Sequence, residues 1–448
     1  MTMIGNFNGP GPYVVDIPSP VSGAWKRSRA LVRFQGICKN GTPFNITPAS
    51  TLAFTHTVKH EAPAPFLGVQ FLADNGAPNA QTVNQLAFGV TETAAFTATG
   101  LTASQNMSAP VIGGVAYNTT LVTSGNLGYR QVTFGASATY GLPAGNAARQ
   151  YALSDVLSIA SVPRADGGTR PLYLMRQKPD PAGYNFLTAQ AAMRTPTAAN
   201  RGRIMQASSF GGDGIAVPSS AFTIGTTYTD TYPIFSFLTP VLSVWAVGDS
   251  IMQGNSVSII ADGYSNYSSR ACADLQDATG IPVAYANLGC NSQNAAYYWA
   301  QAKALLALGV PAPSVLVIGP ASTNDGSSAP TQATVDAQIA LAFDVLAVAK
   351  QYGIPHVVWV PWLVNENLTN VSTTFYDDKR KLANGTLKSL AAAQGVSWVD
   401  FATPMGDGAS PERWLAPFKF DEFHPSEFAH ESPMSSLLLA TLRKIVGA

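Results

Sequence analysis

The 448-residue sequence contains few charged residues. Asp, Glu, Lys and Arg make up 12 % of it and cancel to a formal net charge of zero. This composition argues against a nucleic-acid partner or an anionic membrane, since both attract basic surfaces. No apolar run reaches the roughly 18 residues that span a bilayer. The first residues also lack the basic stretch and apolar run of a signal peptide, so we expect no membrane partner and the compartment stays open.

Cysteine is scarce as well. The three cysteines, Cys38, Cys272 and Cys290, are too few and too scattered for a disulfide framework or a metal cluster. A Cys272–Cys290 bridge and two buried free thiols are both compatible with the sequence. We predict no metal and no cofactor.

Hydrophobic residues are plentiful at 46 %, and the chain is rich in glycine (39) and proline (31). Between about residues 24 and 237, short β-like runs alternate with Gly, Pro, Asn and Asp. Residues 154–176 are typical of a hairpin with a turn at Asp166. Long amphipathic helices are lacking. We therefore predict an all-β, sandwich or jelly-roll-like domain at residues 1–240. Its alternative roles are binding carbohydrate, completing an active-site cleft and oligomerisation.

The pattern changes after residue 240. Five mostly apolar runs alternate with five helical stretches; the runs are 241–247, 282–288, 314–318, 356–362 and 396–401. The alternation predicts a doubly wound parallel α/β sheet over residues 241–448. Ser432 and Pro433 are predicted to begin the last helix, as N-cap and first-turn residues. Ligands of such sheets bind beyond the carboxyl ends of the strands.

Chemically active residues follow several of these runs. Ser250 stands in Gly-Asp-Ser directly after the first run, Gly289 follows the second, and Asn324 follows the third. After the fifth run, Asp421 precedes His424 by three positions. A serine hydroxyl needs an adjacent imidazole to become a nucleophile, and the imidazole needs a carboxylate to hold its tautomer. The set therefore indicates nucleophilic catalysis.

On these residues the carboxyl-terminal part, 241–448, resembles the SGNH (GDSL-type) serine hydrolases. The resemblance implies a flavodoxin-like sheet, with Ser250 as nucleophile, His424 as base and Asp421 as the orienting carboxylate. The oxyanion donors would be the backbone N–H groups of Ser250 and Gly289 and the side chain of Asn324. One departure is that four residues separate Gly319 from Asn324, a longer spacing than the family's Gly-x-Asn-Asp.

Other residues compete for these roles. His430 is a rival base with Glu427 three residues before it, although the two also fit a solvated pair on one helical turn. Asp400 and Glu427 are alternatives to Asp421. Asp249 and Asp325 are predicted to accept backbone N–H groups in tight turns. The remaining histidines, His56, His60 and His356, are predicted to be structural.

We therefore predict a serine esterase that hydrolyses small acyl esters, chiefly O-acetyl groups on carbohydrate, through an acyl-serine intermediate. Its partner would be an acylated small molecule or an acetylated polysaccharide. Six aromatic residues are candidates for stacking on sugar rings or for plain packing: Tyr264, Tyr297, Tyr298, Trp299, Trp362 and Trp414. The alternative is a phage-like structural or attachment protein with a receptor-processing or inactive hydrolase part.

Overall fold

The structure is a computed structural model, and it describes residues 24–33, 54–75, 80–91, 111–112, 115–116, 130–145, 149–164, 167–179, 191–192, 205–211, 223–224, 226–227, 231–254, 266–325, 330–366 and 373–448. The strands are β1 (Lys26–Leu31), β2 (Phe54–Glu61), β3 (Phe66–Asn75), β4 (Gln81–Thr91), β5 (Val111–Ile112), β6 (Val115–Ala116), β7 (Arg130–Val132), β8 (Tyr140–Leu142), β9 (Gln150–Leu153), β10 (Leu157–Ser158), β11 (Leu172–Pro179), β12 (Ala191–Ala192), β13 (Met205–Gly211), β14 (Thr223–Ile224), β15 (Thr226–Thr227), β16 (Thr231–Gly248), β17 (Val283–Gly289), β18 (Val315–Ile318), β19 (His356–Trp359) and β20 (Ser397–Trp398). The helices are α1 (Ser250–Gln253), α2 (Tyr267–Thr279), α3 (Ala295–Leu308), α4 (Gln332–Gln351), α5 (Thr373–Gln394), α6 (Ala402–Met405), α7 (Glu427–Ala429) and α8 (Ser435–Val446).

The carboxyl-terminal strands form a parallel sheet in the order β17-β16-β18-β19-β20. Counted from β16, this is the order 2-1-3-4-5 of flavodoxin-like sheets. Successive side chains of β16 point to opposite faces. Trp245 and Val247 enter the core under α3 and α4, whereas Val244 and Ala246 enter the core under α2 and α8. Because both faces are covered, residues 241–247 of the strand are apolar apart from Ser243, as predicted.

The helix α4 has the length and composition of a membrane-spanning segment, with a mean hydropathy of 1.3 over 18 residues. A buried core helix of a globular domain can have the same length and composition. Here Val345 and Leu346 of α4 are buried in the core, and the helix packs against α3 and α5. The sequence has no uninterrupted apolar run here, because Asp336, Asp344 and other polar residues interrupt it, although the mean hydropathy of the segment remains high.

The 18-residue strand β16 joins the two parts of the chain. Its first half pairs antiparallel with β3 and β1, and its second half pairs parallel with β17 and β18. The predicted boundary at residue 240 therefore lies inside one continuous strand. The division into domains 1–240 and 241–448 remains a prediction.

A second sheet has the order β14-β13-β2-β11-β4-β7, with β8 beside β4. Its inner side chains share a core with β3 and β16: the ring of Phe88 lies 5.4 Å from that of Phe71, and Tyr173 lies 5.2 Å from Phe235. The jelly-roll-like sandwich remains a prediction, since much of residues 1–240 lies outside the described ranges. The hairpin predicted at 154–176 was wrong, because β10 pairs with β3 while β11 pairs with β2 and β4.

A buried ion cluster lies where the two parts meet. Asp74 accepts hydrogen bonds from Arg33 at 2.6 Å and from Arg149 at 2.9 Å, and all three side chains are at most 2 % exposed. The backbone of Arg33 also borders β17: its N–H donates to the Tyr285 carbonyl at 3.0 Å, and its carbonyl accepts from the Asn287 N–H at 2.6 Å. The segment after β1 thus covers the edge of the parallel sheet.

The last helix begins earlier than predicted. Ser426 is the N-cap of α7, and its hydroxyl accepts the N–H of Ala429 at 3.2 Å. The chain then continues through a π-helical turn at His430–Met434 into α8, with Pro433 inside the turn. Ser432 and Pro433 therefore do not begin a helix. A wider π-turn accommodates the proline, which has no N–H to donate and would disturb a regular α-helical turn.

Candidate active site

Ser250 lies immediately beyond the carboxyl end of β16, between the strands β17 and β18. Asp249 is the N-cap of the short helix α1, and its Oδ1 accepts the N–H of Ile251 at 3.0 Å. Gly248 is required before this turn, because a Cβ atom there would come within 2.8 Å of the Met252 Cβ. The strand order reverses direction at this point, where ligands of doubly wound sheets bind.

The structure brings Ser250, His424 and Asp421 together. The Oγ of Ser250 lies 3.0 Å from the Nε2 of His424. The Nδ1 of the same ring lies 2.9 Å from Oδ2 and 3.1 Å from Oδ1 of Asp421. A carboxylate can only accept, so Nδ1 carries the proton and Nε2 is left to accept the Ser250 hydroxyl hydrogen. This arrangement can remove a proton from the hydroxyl.

Asp421 is held in place by its own loop. Its Oδ1 accepts the backbone N–H groups of Phe423 and His424, each at 2.7 Å. Partial burial raises the pKa of the carboxyl, but the hydrogen bonds from the His424 ring and from these two N–H groups outweigh it and leave the pKa below its ordinary value. The carboxylate is therefore ionised and oriented before any substrate arrives.

The rival base His430 is fully buried. Its Nδ1 accepts the backbone N–H of Tyr267 at 3.2 Å, and its ring packs 5.7 Å from the Tyr267 ring. Burial, with a smaller contribution from nearby His424, lowers the pKa of His430 to about 3. It cannot form the solvated pair with Glu427 that the sequence allowed, and it joins α2 to the last helical segment.

The alternative carboxylate Asp400 is engaged elsewhere. It accepts the N–H and hydroxyl of Thr403 at 3.1 and 3.0 Å, and Lys388 lies 3.3 Å away. Glu427 lies in the first turn of α7, where an acidic side chain complements the helix dipole. Of the three acidic candidates, Asp421 is the one hydrogen-bonded to the His424 ring.

The predicted oxyanion donors lie in two loops at the same sheet edge. The N–H of Gly289 donates to Oδ1 of Asn287 at 2.9 Å, and a Cβ atom at this glycine would overlap the backbone nitrogen of Gln253. The glycine thus permits close packing against α1. The Nδ2 of Asn324 donates to the Gln293 carbonyl at 3.0 Å. Both residues stay predictions as oxyanion donors.

Ser322 lies within the long spacing before Asn324, and no role was predicted for it. The hydroxyl of Ser322 donates to Oδ2 of Asp249 at 2.7 Å and accepts the N–H of Asn324 at 3.1 Å. Asp325 accepts the N–H groups of Ala295 and Ser322, each at 2.8 Å. Both aspartates therefore accept backbone N–H groups, as predicted. Burial raises the pKa of Asp325 despite these bonds.

Several further candidates are packing residues. Tyr298, Trp299, Trp362 and Trp414 are buried. Tyr297 is partly buried, and burial raises its pKa to about 12. Cys272 and Cys290 are buried free thiols, without a bridge between them.

The other histidines are distant from the Ser250 site in the fold. His60 is buried at the end of β2, with its Nδ1 2.7 Å from the Glu61 carbonyl. Burial, together with Arg27, lowers the pKa of His356 at the start of β19. The predictions made for Tyr264, Cys38 and the side chain of His56 lie outside the described residues.

Comparisons with known proteins bear on the carboxyl-terminal part. Residues 246–431 match the model of the GDSL-like lipase/acylhydrolase family. A search of the curated proteins found no match. Among solved structures, a GDSL-like lipase from Bacteroides thetaiotaomicron is 18 % identical, with a TM-score of 0.34, and the match covers 46 % of this chain and 88 % of that one. An acetylxylan esterase from Geobacillus stearothermophilus is 16 % identical, with a TM-score of 0.33, covering 46 % and 94 %.

These comparisons give no support to the alternative prediction of a phage-like attachment protein. The predicted resemblance is confirmed for the carboxyl-terminal part alone. Residues 246–431 are a GDSL-like lipase/acylhydrolase domain.

Proposed function

We propose that this domain is a serine esterase that removes small acyl groups, chiefly O-acetyl groups, from carbohydrate. The observation that carries the proposal is the 3.0 Å contact between the Ser250 hydroxyl and the His424 ring, with Asp421 on the far side of that ring. Two loops that are far apart in the sequence supply these groups, one with Ser250 and the other with both Asp421 and His424. A structural role for the contact would not require the imidazole to be oriented by a carboxylate.

In the first half-reaction, Ser250 Oγ attacks the ester carbonyl carbon while its proton passes to Nε2 of His424. The carbonyl oxygen becomes an oxyanion in the tetrahedral intermediate. When the intermediate collapses, the bond from carbon to the alcohol oxygen breaks, and Nε2 returns the proton to that oxygen. The products are the free alcohol and an acyl-serine.

In the second half-reaction, water takes the place of the alcohol. His424 removes one proton from the water as its oxygen attacks the acyl carbon, and a second tetrahedral intermediate forms. Its collapse breaks the bond to Ser250 Oγ, and the imidazole returns the proton to that oxygen. The acid leaves and the enzyme is restored.

The oxyanion requires donors that face it. We assign the backbone N–H of Ser250, which lies in the first turn of α1 and so has no acceptor inside the helix. We assign Gly289 and Asn324 as the further donors. The N–H of Gly289 would have to leave Asn287 Oδ1, and the Asn324 amide would have to share its hydrogens with the Gln293 carbonyl. Apo geometry often tightens on binding, and one such donor is worth about 10²–10³ in turnover.

The surroundings of Ser250 favour a small acyl group. The residue is only 5 % exposed. An acetyl group adds only one methyl beyond the carbonyl, so it needs the least space beside this buried residue. The carbohydrate part of the proposal rests on the resemblance of the motifs.

Labelling with a fluorophosphonate tests the nucleophile. We expect the wild-type protein to gain one covalent adduct, located at Ser250 by peptide mass mapping. The Ser250→Ala variant should gain none and should lose the hydrolysis of p-nitrophenyl acetate. Ser389→Ala on α5 is a matched control, because its hydroxyl bonds only within its own helix, to the Gly385 carbonyl at 2.9 Å. Wild-type rates in Ser250→Ala would refute the proposal.

Acetate release tests the substrate class. Acetylated xylo-oligosaccharides and a series of p-nitrophenyl esters from acetate to octanoate are compared at equal concentration. We expect release from the acetylated sugar and a fall in kcat/KM beyond the shorter acyl chains. If the protein preferred the octanoate ester and released no acetate from the sugar, it would still be an esterase, but the proposal that its substrate is an acetylated carbohydrate would be rejected.

A further inference from the structure

Residues 418–426 form a tight antiparallel loop that carries the catalytic histidine. The N–H of Phe420 donates to the His424 carbonyl at 3.1 Å, and the N–H of Ser426 donates to the Phe418 carbonyl at 2.8 Å. Lys419 and Pro425 are bridged between these two pairs. Phe420 and His424 are therefore directly opposite each other. Side chains at opposite positions of an antiparallel pair lie on the same face, with Cβ atoms about 5 Å apart.

Phe420 is also strongly exposed. It presents 62 % of its surface to solvent, and Phe428 in α7 presents 52 %; they are the two phenylalanines among the exposed large hydrophobic residues of the described ranges. The ring of Phe418 stacks on that of Phe428, with centroids 5.7 Å apart and planes 10° apart. We call Phe418, Phe420 and Phe428 the aromatic shelf. Clustered exposed apolar surface of this kind commonly marks a binding site.

The chemistry of the reaction tells which half of the ester the shelf would meet. His424 Nε2 must donate its proton to the leaving alcohol oxygen, so that oxygen lies within hydrogen-bond reach of the ring. The carbonyl oxygen points instead toward the oxyanion donors. Because Phe420 shares a face of the loop with His424, it borders the alcohol side of the ester rather than the acyl side.

We propose that the aromatic shelf binds the alcohol part of the substrate, a pyranose ring whose apolar C–H face stacks on Phe420. This rests on the proposed esterase function and names the residues that select its substrate. The stacked pair of Phe418 and Phe428 extends the same surface away from His424. Phe418 lies two positions from Phe420 on the same side of the loop, so further rings of an oligosaccharide would meet apolar surface beyond the first sugar.

The charges around the shelf favour carbohydrate over a lipid surface. Residues 415–431 contain four acidic residues, Asp421, Glu422, Glu427 and Glu431, and a single basic one, Lys419. Lys419 forms an ion pair with Glu366 at 2.5 Å. An anionic lipid surface attracts basic clusters and is repelled by this rim. Carboxylates are instead good acceptors for the hydroxyl groups that surround a sugar ring.

The kinetic test compares an acetylated xylo-oligosaccharide with ethyl acetate, whose alcohol has no ring. For Phe420→Ala we expect the ratio of kcat/KM for the sugar ester to that for ethyl acetate to fall about tenfold, the scale of a lost aromatic contact. Phe420→Trp should restore the ratio. Leu437→Ala is the matched control, since Leu437 is an exposed apolar residue of α8 outside the shelf. An unchanged ratio in Phe420→Ala would overturn the proposal.

A binding test separates this proposal from the esterase function. Xylohexaose, which carries no ester, is titrated into Ser250→Ala protein and into the double variant with Phe420→Ala. We expect binding by the first and at least a fivefold weaker affinity in the second. Equal affinities would remove the shelf as a sugar site even if the esterase assays succeed. Binding to anionic phospholipid vesicles that depends on Phe420 would overturn carbohydrate as the occupant.

Discussion

Replacement of Asp421 by Asn tests the orientation of the imidazole, because the loop dictates how the new amide must lie. Oδ1 of Asp421 accepts two backbone N–H groups, those of Phe423 and His424, at 2.7 Å. Only the amide oxygen can take that position, so the NH2 group replaces Oδ2, which lies 2.9 Å from Nδ1 of His424. Nδ1 must then accept, and the ring proton moves to Nε2.

The displaced proton faces the Ser250 hydroxyl across the present 3.0 Å contact, so the ring cannot accept the serine proton. The same change in a buried Ser-His-Asp triad lowers kcat about 10⁴-fold. Asp421 has a side chain 35 % exposed, so water can reorganise around it and soften the loss. We expect a fall in kcat of about 10³-fold, which corresponds to about 4 kcal/mol in activation free energy.

The assay is the initial rate on p-nitrophenyl acetate for the wild type, Asp421→Asn and the control Asp400→Asn. The control should keep the wild-type rate, because Asp400 bonds to Thr403 and Lys388. KM should change little, since Asp421 touches the ring and not the substrate. A kcat for Asp421→Asn within threefold of wild type would refute the reasoning. A large loss in Asp400→Asn or Glu427→Gln would move the role to that carboxylate.

Three further predictions concern stability and positioning. Asp74→Asn removes the carboxylate shared by two buried guanidinium groups and should lower the free energy of unfolding in urea by about 3–5 kcal/mol; an unchanged midpoint would contradict this. The pKa of His430 is about 3 in the folded protein and 6.5 when unfolded, so its contribution to the free energy of unfolding is complete above pH 6.5 and falls by about 2 kcal/mol between pH 7 and 5. In urea titrations at these two pH values, His430→Asn should lose correspondingly less stability than the wild type. Equal losses would count against this. Ser322→Ala releases the backbone N–H of Asn324 and should lower kcat about tenfold while the melting temperature changes by only a few degrees; an unaltered kcat would remove Ser322 from the positioning of Asn324.

The parallel sheet was predictable because each of its strands is covered on both faces. Such strands read as apolar runs, and the segments 282–288 and 314–318 correspond to β17 and β18 within a residue or two. The dyad of Asp421 and His424 was predictable for a different reason. They are three positions apart within one loop, so the sequence itself brings the carboxylate to the ring.

Other features were hidden because they depend on distant partners. Ser322 carries no sequence signal, since its role appears only when Asp249 arrives from the end of another strand at 2.7 Å. The extent of β16 was hidden because Pro240 and the polar residues near it resemble a linker. The strand β1 pairs with β16 before this stretch, at Ser236, and after it, at Val241 and Leu242, with an irregularity in register between them, and so holds the chain extended through the proline.

The shared strand β16 sets how the protein can be divided. At about 3.3 Å per residue its 18 residues extend for roughly 60 Å; one end leads into the proposed nucleophile Ser250, while the other lies among the amino-terminal strands. A fragment starting at residue 241 would keep every β16 residue that pairs with β17 and β18, but it would lose the β1 segment, which pairs with Val241 and Leu242 and borders β17 through Arg33. Transplanting the carboxyl-terminal domain onto another protein therefore means carrying the β1 segment with it.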